Sequence, residues 1–126
     1  MSFKFQDLEI WKLSMDYVKD IYEITRNFPN DEKFALTNQL RRAAISIPSN
    51  ISEGSARKTK RDFCHFLDMA RGSLNETVTQ LLIAQKLNYI SKEYLDNTLE
   101  KAERINMMLF KLKKAITQNM INEHQR

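Results

Sequence analysis

Apolar residues recur at alternating spacings of three and four along almost the whole chain, the mark of helices packed lengthwise on one another. Between Asp7 and Asn27 two such stripes run side by side. One is Leu8, Trp11, Met15, Val18 and Tyr22; the other is Ile10, Leu13, Tyr17, Ile21, Ile24 and Phe28. Two stripes predict burial on two sides of this helix. Phe28-Pro29-Asn30 stops it. Asn30 or Asp31 is placed to cap the next helix, and Asp31 and Glu32 suit its positive end.

The second predicted helix spans about 31–55, with Leu36, Leu40, Ala43 or Ala44, Ile47 and Ile51 as its seam. Pro48 removes one backbone donor and crowds the carbonyl of Ala44, which predicts a kink; a break into two shorter helices is the alternative. Gly54 is read as the helix-ending residue. The third helix spans about 59–88, opened by Thr59 with Asp62 three residues on, a variant capping box. Phe63, Leu67, Ala70, Leu74, Val78, Leu81 and Gln85 form its seam. Ser91 opens the fourth, about 91–120, with Leu95, Leu99, Ala102, Ile105, Leu109, Leu112 and Ile116. Helices of about 21–30 residues are roughly 30–45 Å long. Short connections make them antiparallel, so the predicted fold is all-α, a single-domain up-down-up-down four-helix bundle over 1–126 with helix two kinked near Pro48. If the turn between helices two and three is centred near 56–57, Ala43 and Ala44 face Ala70 and Gly72. That register would give the mid-helix Gly72 a close-packing reason for its cost of about 1 kcal/mol.

Composition narrows the function classes. The 126 residues include only 2 Gly and 2 Pro, against about 9 and 6 at average usage, which excludes a many-turned β fold and a Gly-rich phosphate loop. The single Cys forms neither an internal disulfide nor a Cys-based zinc site. No apolar run approaches the roughly 18 residues of a membrane span, and the start MSFKFQDLEIWK lacks an apolar signal region, so the expectation is a cytoplasmic protein without membrane contact. No nucleotide-loop or zinc-protease motif is present. Cys64 and His65 are neighbours on a helix and point about 100° apart, so they cannot work as a pair. Asp62 and His65 offer one imperfect copy of a helical metal motif that needs two. Neither a catalytic residue, a metal site nor a cofactor is expected.

Charge is unevenly spread. Residues 1–40 sum to −2, residues 41–71 to +4 and residues 72–126 to +2, giving +4 overall. The basic centre contains Arg41, Arg57, Lys58, Lys60, Arg61 and Arg71, a group suited to phosphates. No aromatic residue interrupts Arg57, Lys58, Lys60 and Arg61; Phe63 stands next to them, and the seam claims it. Binding there should be backbone-directed and weakly sequence-specific. A polar line of Arg42, Ser46, Asn50 and Glu53 also runs beside the apolar seam of helix two. One reading is a half-buried network that sets helix register, with Glu76 as partner for the arginines, since buried charges demand partners. The other is a ligand-facing stripe.

The stretch RRAAISIPSNISEG, with QL before it and ARGSLNETVTQLLIA after it, resembles the bacterial 23S rRNA intervening-sequence proteins. The opening FQDLEIWKLSMDYVKDIYEITRNFP and the LNYI before helix four are similar to that family too. The resemblance covers about 3–120 and is most specific at Arg42, Ser46, Asn50, Glu53, Gly54, Gly72, Ser73 and Glu76. It implies a four-helix bundle with no known catalytic site. A related group, the accessory proteins of diversity-generating retroelements, forms five-subunit basic barrels that bind nucleic acid and a reverse transcriptase. By that similarity a homopentamer is expected here, with RNA, DNA or a protein as its partner. The residues are compatible with this: two stripes on helix one and wide seams on helices three and four exceed what one core requires.

Overall fold

The structure, a computed structural model, describes residues 3–125. Four helices carry the chain: α1 Glu9–Thr25, α2 Leu36–Ser55, α3 Lys60–Lys86 and α4 Lys92–His124. Single 3-10 turns, Lys4–Asp7 and Asn30–Glu32, precede α1 and α2, and no strand occurs among the described residues. The fold is all-α. Each helix packs on its chain neighbours, and α4 closes back on α1.

Side-chain pairs set the directions. Gln39 meets Gln80, Ser46 meets Ser73 and Gly54 meets Phe66 across α2 and α3. Lys60 meets Glu123, Cys64 meets Thr117 and Asp68 meets Lys113 across α3 and α4. In both interfaces the partner's number falls as the residue number rises, as antiparallel packing requires. The Ser46–Ser73 hydrogen bond (2.8 Å) sets a register in which Ala43 lies level with Glu76, not with Ala70 as a turn centred near 56–57 would place it. Gly72 also lies on the outward face of α3, while the adjacent Ser73 is the residue that meets α2. Gly72 is exposed, and a Cβ there would meet nothing within 4 Å. Gly54 takes the close approach instead: a Cβ would lie 2.6 Å from Cβ of Phe66 and 3.0 Å from Cδ1 of Phe63. Nor does Gly54 end α2 as a left-handed cap; it has ordinary helical φ inside the last turn.

The start of α2 also departs from expectation. Neither Asn30 nor Asp31 caps it; the helix begins only after Ala35, whose φ of −125° and ψ of −107° lie outside it. Phe34 is 86% exposed, so the segment before Leu36 places no large apolar side chain on the core to hold another helical turn. α2 then runs unbroken through the buried Pro48, and the two-helix alternative does not form. Thr59 Oγ1 accepts the Asp62 N–H (3.1 Å) and Ser91 Oγ accepts the Tyr94 N–H (3.2 Å), capping α3 and α4. Asn88, with φ of 63°, ends the α3 turn in the left-handed conformation, and the Tyr89 N–H reaches back to the Ala84 carbonyl (2.9 Å), the bond that closes a Schellman motif.

The two stripes of α1 have different fates. Ile10, Tyr17, Ile21 and Ile24 are buried, with Ser14 among them, and join Leu40, Ile47, Ile51, Leu67, Leu74, Leu81, Leu95, Ile105 and Leu109 in the core. Each such aliphatic side chain contributes about 1.5–3 kcal/mol on burial. Leu8, Trp11 and Val18 lie at the margin and Met15 is exposed. One polar bond crosses the core. Thr77 Oγ1 donates to the Leu74 carbonyl (2.6 Å), so its remaining capacity is to accept, and the Tyr17 hydroxyl donates to it (2.8 Å). Burial pushes the Tyr17 phenol up to about 12.

Candidate nucleic-acid interface

The α2–α3 connection collects four of the six basic residues singled out in the sequence. Arg57, Lys58, Lys60 and Arg61 follow one another around a tight reversal, so local chain geometry alone assembles them. Arg57 pairs with Glu53 (2.8 Å) and lies 4.7 Å over the ring of Phe66. Lys60 pairs with Glu123 near the end of α4. Lys58 and Arg61 form no ion pair among the described residues. Together with Thr59, Lys60, Met120, Glu123 and His124 they border an open depression of about 370 Å³. Phe63 and Phe66 are half-buried against Gly54, so neither presents a free ring face to this turn.

Arg41 does not join this group. It lies about 20 Å away along α2, where its Nε donates to Thr25 Oγ1 (2.8 Å) and its guanidinium sits 4.5 Å over the Tyr22 ring. It ties α2 to α1. Arg71 is also apart, roughly 15 Å along α3 from Arg61, in a groove between α3 and α4 with Lys113 and Lys114.

The polar line of α2 separates into two parts. Asn50 is buried and donates to both the carbonyl and the hydroxyl of Ser46 (2.8 and 2.9 Å), and Ser46 accepts from Ser73. This short network closes the α2–α3 interface. Arg42, Glu53 and Glu76 are exposed, which removes the need for buried charge pairing: Glu53 serves Arg57, and Glu76 accepts from Gln80 (3.4 Å) rather than from Arg41 or Arg42. Arg42 and Glu76 border a shared shallow groove of about 350 Å³. Gln80, which periodicity alone does not single out, is buried between Gln39 and Glu76.

Asp62, Cys64 and His65 do not converge. Cys64 is half-buried with Sγ 4.0 Å from Thr117 Oγ1, while His65 is exposed beside Phe66. No group of three or more His, Cys, Asp or Glu among the described residues could hold a metal ion. No helix there is long and apolar enough to cross a membrane.

An apolar groove of about 310 Å³ lies on the opposite side, between α1 and α2, lined chiefly by Phe5, Trp11, Met15, Val18, Ile45 and Pro48. Met15 and Ile45 are 44% and 41% exposed. Phe5 stacks on Phe3 and meets Trp11 edge-on, at centroid distances of 5.8 and 5.2 Å. The outer stripe of α1 thus finds partial cover from the N-terminal aromatics, and the groove stays open.

The family model for the 23S rRNA-intervening sequence protein matches residues 6–111. A crystal structure of a protein with unknown function from the S23 ribosomal protein family of Bacteroides thetaiotaomicron VPI-5482 superposes with a TM-score of 0.77 at 25% identity, covering 83% of this chain and 98% of that one. A search of the curated proteins gives no match.

Proposed function

The chain belongs to the 23S rRNA-intervening sequence protein family, and from there we propose that it acts as a non-enzymatic, cytoplasmic homo-oligomer, a pentamer, that binds RNA or DNA through its basic α2–α3 turn. The observation that carries this reading is the pair of cations without an ion pair, Lys58 and Arg61, at the α2–α3 turn beside Arg57 and Lys60. Cations held at a turn with no ring face open beside them recognise the phosphate backbone and read little sequence. Oligomerisation is supported by the open α1–α2 groove, whose exposed Met15 and Ile45 are surplus to one bundle's core. Five copies of a +4 chain carry +20, which turns a modest patch into a strong anion-attracting surface.

The test is the triple replacement Lys58→Gln, Lys60→Gln, Arg61→Gln, with affinity for a mixed RNA measured from low to high salt. Affinity falls and the slope of log affinity against log salt flattens by about 2, since each lost phosphate contact removes roughly 0.7–0.9. Unchanged affinity rejects the assignment. Light scattering reports the subunit number.

The α1–α2 groove favours a second reading, an oligomeric adaptor whose partner is a protein such as a reverse transcriptase. Six lining residues there are apolar and none is charged, which suits a protein segment. In that case the purified oligomer binds nucleic acid negligibly at about 150 mM salt.

A further inference from the structure

The α3–α4 groove combines features that the basic turn lacks. Leu67 and Leu109 form its floor and are 1% and 2% exposed. Phe110 stands on its wall and is 56% exposed. Arg71 from α3 and Lys114 from α4 flank it on opposite sides. Asp68 is the sole acid lining it, and Lys113 donates to both of its carboxylate oxygens, at 2.8 and 3.0 Å. That pair cancels internally. Arg71 and Lys114 form no ion pair among the described residues, so the groove keeps two free positive charges around an apolar slot. Its volume is about 400 Å³, within the range of pockets that take small planar ligands.

An open aromatic ring between free cations is the arrangement that holds an unpaired base while phosphates are neutralised on either side. We infer that this groove is a single-strand site: a base stacks on Phe110 and the flanking phosphates lie on Arg71 and Lys114. The inference rests on the nucleic-acid reading above and adds strand preference to it. Position along the helix supports it. Arg61, Asp68 and Arg71 repeat at spacings of seven and three, which places them on one face of α3. A strand leaving the basic turn at Arg61 would reach the groove along this side of α3, over roughly 15 Å, passing Asp68, whose charge Lys113 offsets. A duplex keeps its bases stacked inside and cannot offer one to Phe110 without opening, so the slot distinguishes the two forms. A fatty acid would use the same floor and pair its one carboxylate with one cation, but it brings no second anion for the other.

The experiment measures fluorescence anisotropy of a labelled single-stranded RNA, and of the same sequence as a duplex, on the full-length protein. The variants are Phe110→Ala, Phe110→Tyr, and Lys58→Gln with Arg61→Gln. Phe110→Ala weakens single-strand binding about tenfold and leaves duplex binding within about twofold, whereas Phe110→Tyr retains both. The turn variant weakens both probes. Equal loss on the two probes, or no loss on either, overturns the single-strand site. A lower mass for Phe110→Ala in light scattering also overturns it, because Phe110 would then be a contact between copies. If the unmodified protein binds neither probe, the nucleic-acid reading falls with it; if it binds both and Phe110→Ala changes nothing, that reading stands and only the groove assignment is lost.

Discussion

Two glycines in helices, substituted identically, should respond with opposite sign. Removing Gly from a helix interior ordinarily stabilises by up to about 1 kcal/mol, because Ala loses less backbone freedom on folding. Gly72 is a clean case, exposed and with nothing within 4 Å of an added Cβ. Gly72→Ala should therefore stabilise by about 0.5–1 kcal/mol. At Gly54 the same methyl group would lie 2.6 Å from Cβ of Phe66. A Cβ is fixed to its backbone and cannot swing aside, so relief requires α2 and α3 to part by about 1 Å to reach ordinary carbon contact. Overpacking of this kind costs about 1–3 kcal/mol, and the propensity gain near a helix end is small. Gly54→Ala should thus destabilise by about 1–2 kcal/mol, moving the urea midpoint down by roughly 0.5–1 M. Far-UV circular dichroism at one fixed protomer concentration is the assay, since assembly would otherwise shift the midpoints. If Gly54→Ala proves neutral or stabilising like Gly72→Ala, the close approach of α2 to α3 is wrong.

Tyr17 predicts an alkaline weakness. Its phenol titrates near 12 when folded and near 10 when unfolded, so stability is intact below pH 10 and declines between about pH 10 and 12, by up to about 2–3 kcal/mol. Tyr17→Phe should soften that decline relative to the unmodified chain in urea titrations, and parallel declines would contradict it. Thr77→Val leaves the buried Tyr17 hydroxyl without its acceptor and should cost about 1–3 kcal/mol, read as a lower urea midpoint at neutral pH. Asn88 occupies the left-handed region, so Asn88→Gly should be neutral or slightly stabilising while Asn88→Val destabilises by about 1–2 kcal/mol; equal thermal midpoints would refute this. Asp20→Asn removes the carboxylate charge that Lys101 meets in tying α4 to α1 (2.5 Å). Both side chains are about 30% exposed, so the loss should stay below about 1 kcal/mol and shrink in salt.

The helices themselves are legible because apolar spacing reports the helical period, and because Thr59 and Ser91 cap through local oxygens that need no distant partner. Register is different. It depends on where the reversal between α2 and α3 is centred, and Arg57 and Lys58 carry no pattern that says so. The close contact falls at Gly54, against Phe63 and Phe66, and Gly72 faces outward. The extra length before α2 is hidden from the sequence for a related reason. Asp31 and Glu32 satisfy every local rule for a helix start, and only the exposure of Phe34 shows that no core awaits that turn. Asn88 carried a weak signal, since Asn is the commonest substitute for Gly in a left-handed cap.

The candidate site divides along the same line. Arg57, Lys58, Lys60 and Arg61 are near neighbours in the chain, so any compact turn gathers them. Arg41 looks equivalent in sequence, yet the rise of a helix carries it about 20 Å from the turn and gives it to Thr25 and Tyr22. The reverse holds for Arg71 and Phe110, which lie on different helices far apart in the chain and become neighbours only through the α3–α4 register that Asp68 and Lys113 mark. The same logic explains α1. Its two stripes are chemically alike, and nothing local decides which one faces inward. Tyr17 goes in because Thr77, on the third helix, supplies an acceptor for its hydroxyl. Trp11 and Met15 stay at the edge, beside a groove that the chain itself does not fill. An apolar face left open by a core that is already complete is surface the bundle does not need for its own stability, and the residues that line it are therefore the ones to alter when separating assembly from folding.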